Sequence, residues 1–401
     1  MTDVATSRRN SVADIEDAFR PTHDERARQS FVSMLRKHAI VDMKARLEAD
    51  YEERVRPALA REGAAPRDWR EIERAMETEA SYRFYSTTRY NAQEMCYLSV
   101  IDPVERALPE MIDIARTAAA VNPAEGSLRT DPDFAVPDYV STLDVHLAPG
   151  CFHTEHTEDD VAQGAVVFLG GRVFSGANPT RRLDGTVAES VGRWVSLAFP
   201  DFRPKRILDM GTTTGRNLLP YSAAFPDAEL HGIDVGAPVL RFGFAQAAHK
   251  GVAVHLSQQN AERTDFPDGS FDLIVSSFFF HEVSLGATKR ILEECHRLLA
   301  PGGLIAHMEL TPEHLVSDYE NFFWNWDTAN NNEPAYTVFR AQDPIALCRE
   351  AGFDEADCFV RLIPNLSSFG EDRFREFVEG RAEAPPHGQG GWFVFGARKP
   401  G

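Results

Sequence analysis

The chain has 401 residues with 42 basic against 61 acidic side chains, a formal net charge of −19. An acidic field of that size opposes a polyanion, which disfavours a surface built for nucleic acid or anionic lipid. At 43% hydrophobic and 26% charged, the composition is that of a soluble globular protein with room for two or three domains.

Residues 1–20 read as a flexible polar tail without the apolar segment of a secretion signal. Residues 21–200 read as a mainly helical cap and dimerisation region. Phe31, Leu35, Ala39, Met43, Leu47, Tyr51, Val55 and Leu59 recur at steps of four, marking one face of a long helix that Pro57 should kink or end. GAAPRD at 63–68 interrupts the pattern and offers Asp68 as the N-cap of a second helix; a third should follow Pro103. Turn residues around YVSTLDVHL and GAVVFLGGRVFSG suggest short strands near 138–176, and 186–199 suggests one more amphipathic helix.

Within this region Asp144, His146, Cys151, His153 and His156 are residue types that suit zinc, but their spacing fits no standard site, so no metal is expected. His146 is read instead as part of a polar pocket wall, or as turn chemistry. Cys96, Cys151, Cys295, Cys348 and Cys358 form no CxxC pair. Such usage fits a reducing compartment, and with no apolar stretch long enough to span a bilayer it predicts a cytoplasmic protein with no membrane partner.

From Lys205 the pattern becomes regular. RILDM, AELHGIDV, VAVHLSQQ, FDLIVSSF and LIAHMEL read as strands alternating with helical segments, which predicts an α/β fold with a parallel sheet covered on both faces. Such sheets bind ligands at the carboxyl ends of their strands. The first strand runs into Asp209-Met210-Gly211-Thr212-Thr213-Thr214-Gly215. A dinucleotide fingerprint would need glycine at 213 and 216, where the chain has Thr213 and Arg216, and no lysine follows to make a P-loop.

The remaining D-x-G-x-x-x-G, followed in order by Asp234 in HGIDV, Asn260-Ala261-Glu262 before FPDGSFD, Phe271–Val275, and LLAPGG at 298–303, resembles the class I S-adenosylmethionine-dependent methyltransferases. The resemblance covers about 200–400. It implies a Rossmann-like, seven-stranded sheet within 201–401, with an aromatic lid insertion near 311–340. It also implies S-adenosyl-L-methionine as cofactor, held by Asp209, Gly211, Thr212 and Gly215 along its amino acid part. Asp234 and Val235 would lie at the ribose, Asn260 and Ala261 at the adenine, and Ser276 at the end of the fourth strand. Two positions depart from the family pattern: Thr213 replaces the usual middle glycine, and Asn260 the usual acid.

The elements that mark adenine N-methylation and cytosine C5-methylation of DNA are missing after Val275, where the chain reads Ser276-Ser277-Phe278-Phe279-Phe280-His281-Glu282. A small-molecule substrate methylated on oxygen, sulfur or nitrogen is therefore expected. His281 is the candidate base and Glu282 its orienting partner or a cation ligand, unless the pair caps the next helix or closes the sheet edge. Tyr319, Phe323, Trp324 and Trp326 are candidates for a substrate wall, or for packing of a helix on the sheet. A homodimer is expected. The competing readings are a catalytically silent cofactor-binding regulatory or scaffolding protein, and a protein methyltransferase.

Overall fold

The computed structural model describes residues 12–121, 126–175, 186–386 and 388–401. Eight strands form one sheet: β1 (Ser127–Arg129), β2 (Arg206–Met210), β3 (Glu229–Asp234), β4 (His255–Gln258), β5 (Phe271–Ser277), β6 (Leu299–Glu309), β7 (Cys358–Pro364) and β8 (Gly391–Arg398). Their order is β1-β4-β3-β2-β5-β6-β8-β7, with β8 antiparallel to both neighbours and every other pairing parallel. The α/β, Rossmann-like sheet is therefore present with eight strands rather than seven. The extra strand, β1, comes from the N-terminal region and pairs Ser127–Arg129 with His255–Ser257.

Side chains on a strand alternate between faces, and the core divides accordingly. Ile207, Leu273 and Val275 pack into one apolar cluster with the N-terminal helices, whereas Leu208, Met210 and Ile274 pack into another around the Leu285–Leu298 helix. A third cluster, described below, joins the N-terminal helices to the Asp318–Ala329 helix. Among the described residues, no helix is long and apolar enough to cross a membrane.

The N-terminal region departs from expectation in four places. Residues 1–11 of the predicted tail lie outside the described residues, but Val12, Ile15 and Ala18 are buried, because their i, i+3 spacing gives an apolar edge to a short turn capped by Asp14. Pro57 does not end the first helix. Helices His23–His38, Lys44–Asp50 and Arg56–Arg61 run on through two π turns, and the proline falls in the first turn after the second of these, where a missing amide hydrogen is tolerated. Asp68 does cap a helix, accepting from Glu71 N at 3.0 Å, but that helix is only Trp69–Met76. The next runs from Ala80 to Val121 through Pro103 and Pro109, held by the burial of Val100, Val104, Ala107 and Met111.

Finally, the segment near 138–176 is helical, not stranded: Asp138–Ser141, a single turn at Val145–Leu147, and Ala162–Phe174. The last of these is buried around most of its circumference, so its apolar run carries no helical period to read. Glycines give it close approach: a Cβ on Gly164 would stand 2.3 Å from Phe242 Cβ, and one on Gly170 2.5 Å from the Tyr97 ring.

Candidate active site

The order of strands reverses between β2 and β5, which opens a crevice at their carboxyl ends. There the turn after β2 carries Gly211, Thr213 and Gly215 at φ of 69°, 51° and 69°. This left-handed backbone suits glycine, so Thr213 is strained by its β-branched side chain. Two contacts hold it: its amide donates to Asp234 Oδ2 at 2.9 Å, and Thr212 N donates to Ile233 O at 2.9 Å. Gly236 N donates to Asp234 Oδ1, also at 2.9 Å. The β3 carboxylate is thus locked against the β2 turn, yet with about four acceptor positions it keeps capacity for hydroxyl donors.

Asp209, Gly211, Thr212, Thr213, Asn217 and Ser277 line a cavity of about 160 Å³ that Val167 and Phe168 of the Ala162–Phe174 helix help to enclose. No atom lies within 4 Å of where a Cβ on Gly215 would stand, whereas one on Gly211 would meet the Phe279 ring at 2.3 Å. Room at Gly215 and an acceptor at Asp234 fit the amino acid and ribose parts of S-adenosylmethionine.

Asp209 is buried behind the turn, and burial pushes its pKa up to about 7, against a hydrogen bond of 2.8 Å from the Thr212 hydroxyl and with the Asp234 charge adding to the rise. In the unfolded chain the same carboxyl ionises near its ordinary value of 3.8. Stability conferred by the protonated form is therefore lost as pH rises from about 4 to about 7. Asp209→Asn imitates that form, so the variant's melting temperature relative to the unmodified protein should climb across this interval and level off above it. A difference that stays flat with pH would remove the buried proton.

The other predicted cofactor residues are spread more widely. Val235 O accepts from Gln258 Nε2 at 2.9 Å. Asn260 closes its own turn, Oδ1 accepting from Glu262 N at 2.9 Å, and lines a separate groove with Arg129, Phe134 and Arg263, while Ala261 is buried in the core. Ser276 needs correction. Its hydroxyl pairs with His307 Nδ1 at 2.8 Å on the opposite face of β5, and Ser277 lines the cavity, a one-residue shift that strand alternation explains.

His281 and Glu282 lie beyond β5 in a chain of buried and half-buried acids and imidazoles. His281 Nδ1 meets Glu309 Oε2 at 2.7 Å and its Nε2 meets Glu282 Oε1 at 3.3 Å. Burial alone would lower the His281 pKa, but the Glu309 and Glu282 charges and hydrogen bonds outweigh it and raise it well above the ordinary value. Both nitrogens face carboxylates and the residue is 4% exposed. In this arrangement neither ring nitrogen of His281 is free of a carboxylate partner. Glu282 continues the chain to His146 Nε2 at 3.0 Å, and His146 Nδ1 meets Glu333 Oε1 at 2.6 Å. His146 thus joins this chain of side chains from the N-terminal region.

Sequence reasoning missed Glu309 and Glu333. Glu309 is fully buried at the end of β6 and accepts from Phe279 N at 2.8 Å, Phe280 N at 2.6 Å and Leu310 N at 3.1 Å as well as facing His281. The available signal was a lone acid closing the apolar run Leu304–Met308.

The predicted ring wall is also corrected. Phe322, Phe323 and Trp326 are buried in the cluster formed with Leu47, Tyr51, Ile72 and Tyr85 of the N-terminal helices. Tyr319 stacks on Tyr51 with centroids 4.9 Å apart, Trp326 packs on Tyr85 at 4.5 Å, and Trp326 Nε1 donates to Ser86 Oγ at 2.9 Å. Trp324 lies 4.7 Å from the Arg340 guanidinium. These rings fasten the Asp318–Ala329 helix to the apolar stripe of the first helix, which needed a partner.

Residues 207–303 match the family model described as "Methyltransferase domain". The chain is 36% identical over 120 residues to a demethylmenaquinone methyltransferase of Thermus thermophilus, an alignment covering 30% of this chain and 53% of that one. It is 36% identical over 105 residues to a malonyl-[acyl-carrier protein] O-methyltransferase of Methylococcus capsulatus, covering 26% and 36%. The chain spans about half the length of the first of these relatives. Among solved structures, an O-methyltransferase family protein from Burkholderia thailandensis aligns with a TM-score of 0.40 at 14% identity, covering 60% of this chain and 62% of that one. The matched segment lies across the β2 turn, the β3 acid and the β5 strand, so this part of the chain is similar to methyltransferase domains.

Proposed function

We propose that the protein transfers a methyl group from S-adenosylmethionine to an oxygen, sulfur or nitrogen nucleophile of a small molecule. The observation that carries this reading is the crevice between β2 and β5, where Gly211, Thr212 and Thr213, the last with its amide held by Asp234, line a cavity partly enclosed by Val167 and Phe168. Gly211, Thr212 and Gly215 would follow the cofactor's amino acid part, Asp234 and Val235 its ribose, and Asn260 and Ala261 its adenine. The cofactor supplies a methyl group that is already electrophilic. This chain's residues then have to align the acceptor and exclude water, which the Ala162–Phe174 helix favours by covering part of the cavity.

His281 and Glu282 act in this reading as positioning residues that fix the turn beneath the acceptor. His281→Gln should lower kcat by about tenfold or less and leave the pH profile in place, whereas loss of the acidic limb of that profile would restore the role of base. The substrate class is tested by incubating the protein with labelled cofactor and a panel of phenols, thiols, amines and carboxylic acids. Demethylmenaquinone belongs on the panel because relatives are named for it. Transfer to one class is the expected result; cofactor binding without transfer would favour a regulatory or scaffolding protein, and label in added polypeptide a protein methyltransferase.

We place the protein in the cytoplasm and outside nucleic-acid chemistry. The five free cysteines and the net charge of −19 support this. A homodimer is supported by Phe31, Met34 and Val41, exposed apolar residues on the outer N-terminal helices.

A further inference from the structure

We infer that His146, Glu282 and Glu333, together with the side-chain oxygen of Asn331, form a binding site for a divalent transition-metal cation such as Zn²⁺ or Mn²⁺. The site joins three separate segments: the loop before the Ala162–Phe174 helix, the turn after β5, and the stretch after the Asp318–Ala329 helix. One ligand atom from each of His146, Glu282 and Glu333 can be chosen so that all three lie within 4.8 Å of one another. The imidazole suits zinc and ferrous iron, the carboxylate oxygens suit manganese, and the mixed set is unlike the all-oxygen shells that magnesium and calcium take.

A second observation points the same way. Asn331 is 7% exposed and its Oδ1 has no hydrogen-bond partner, although its amide nitrogen reaches His146 Nδ1 at 3.1 Å and also Glu333 Oε1. Turning that amide by half a turn exchanges oxygen for nitrogen at nearly the same place and presents an acceptor to the cluster. Glu282 Oε2 is likewise buried without a partner. Acceptors withdrawn from water and left unmatched cost free energy, and a cation among them removes that penalty.

Outer contacts orient the ligands, as bound metals require. Glu333 Oε2 accepts from the Thr328 hydroxyl, Glu282 Oε1 faces His281 Nε2, and Gln93 Nε2 donates to the His146 carbonyl at 3.1 Å. In the structure the His146 ring stands between Glu282 on one nitrogen and Glu333 on the other. A bound ion would take one ring nitrogen and draw both carboxylates to itself.

The test is calorimetric titration of the full chain, stripped with chelator, with zinc chloride and with manganese chloride. One ion per chain is expected, with a dissociation constant of about 1 μM or tighter for the preferred metal and a raised melting temperature. Glu333→Gln, confirmed folded by circular dichroism, should weaken binding at least about tenfold. Asn331→Asp, which adds a carboxylate without removing a ligand, should tighten it. The absence of saturable binding in the unmodified chain, or equal affinity in the unmodified chain and E333Q, overturns the site; an unchanged affinity in N331D removes Asn331 from it. Metal binding is read without methyl transfer, so this outcome and that of the labelled-cofactor assay fail independently.

Discussion

Replacing Asp234 by Ala is expected to weaken S-adenosylmethionine binding by about two orders of magnitude or more, measured by titration calorimetry. The carboxylate serves on two sides. Its oxygens hold the amides of Thr213 and Gly236 at 2.9 Å, which fixes the strained β2 turn, and its remaining acceptor positions are those available to ribose hydroxyls. A hydrogen bond to a charged group contributes roughly 1.5–3 kcal/mol, so two lost at the cofactor account for the expected drop before any loosening of the turn. Asp234→Asn keeps one acceptor oxygen but offers a donor on the other side, and should fall between the two. An Ala variant that binds the cofactor within about threefold of the unmodified protein would remove Asp234 from the site.

The second large effect is on stability. Glu309→Ala should destabilise the protein by about 3–5 kcal/mol in urea denaturation, the range for breaking a buried ion pair by removing one partner. Three backbone amides and the His281 ring converge on this one side chain, and no solvent reaches it to replace them. Glu309→Gln preserves the shape but turns an NH₂ group towards donors, so it should lose a substantial part of the same stability rather than recover it. A Glu309→Ala midpoint matching the unmodified protein would mean that water or a rearranged turn satisfies those donors.

These two residues also mark how far the sequence could be read. Asp234 was legible because the resemblance to a known family places an acid at the end of the second strand, after the glycine turn, and the structure brings that carboxylate against the turn. Glu309 was not, since its importance comes from amides 30 residues earlier that the parallel pairing of β5 and β6 brings alongside it. Ser276 and Ser277 show a finer limit: composition places a serine at the strand end, but only the register decides which one faces the crevice. The ring cluster failed in the other direction. Tyr319, Phe323 and Trp326 look like a pocket wall in one dimension, yet the stripe from Leu47 to Val55 had an unpaired apolar face that claimed them. Helix Ala162–Phe174 was misread because a segment buried on nearly all sides shows no alternation to distinguish it from a strand.

Strand β1 gives the N-terminal region a further duty. Its three residues cover the outer edge of β4, whose amides and carbonyls would otherwise form an open template for another chain. A fragment trimmed to the cofactor-binding half would begin life with that edge bare and with Leu256, Leu230 and Val239 stripped of part of their cover. The region that walls the cavity is therefore also what guards the sheet against pairing with its neighbours in solution.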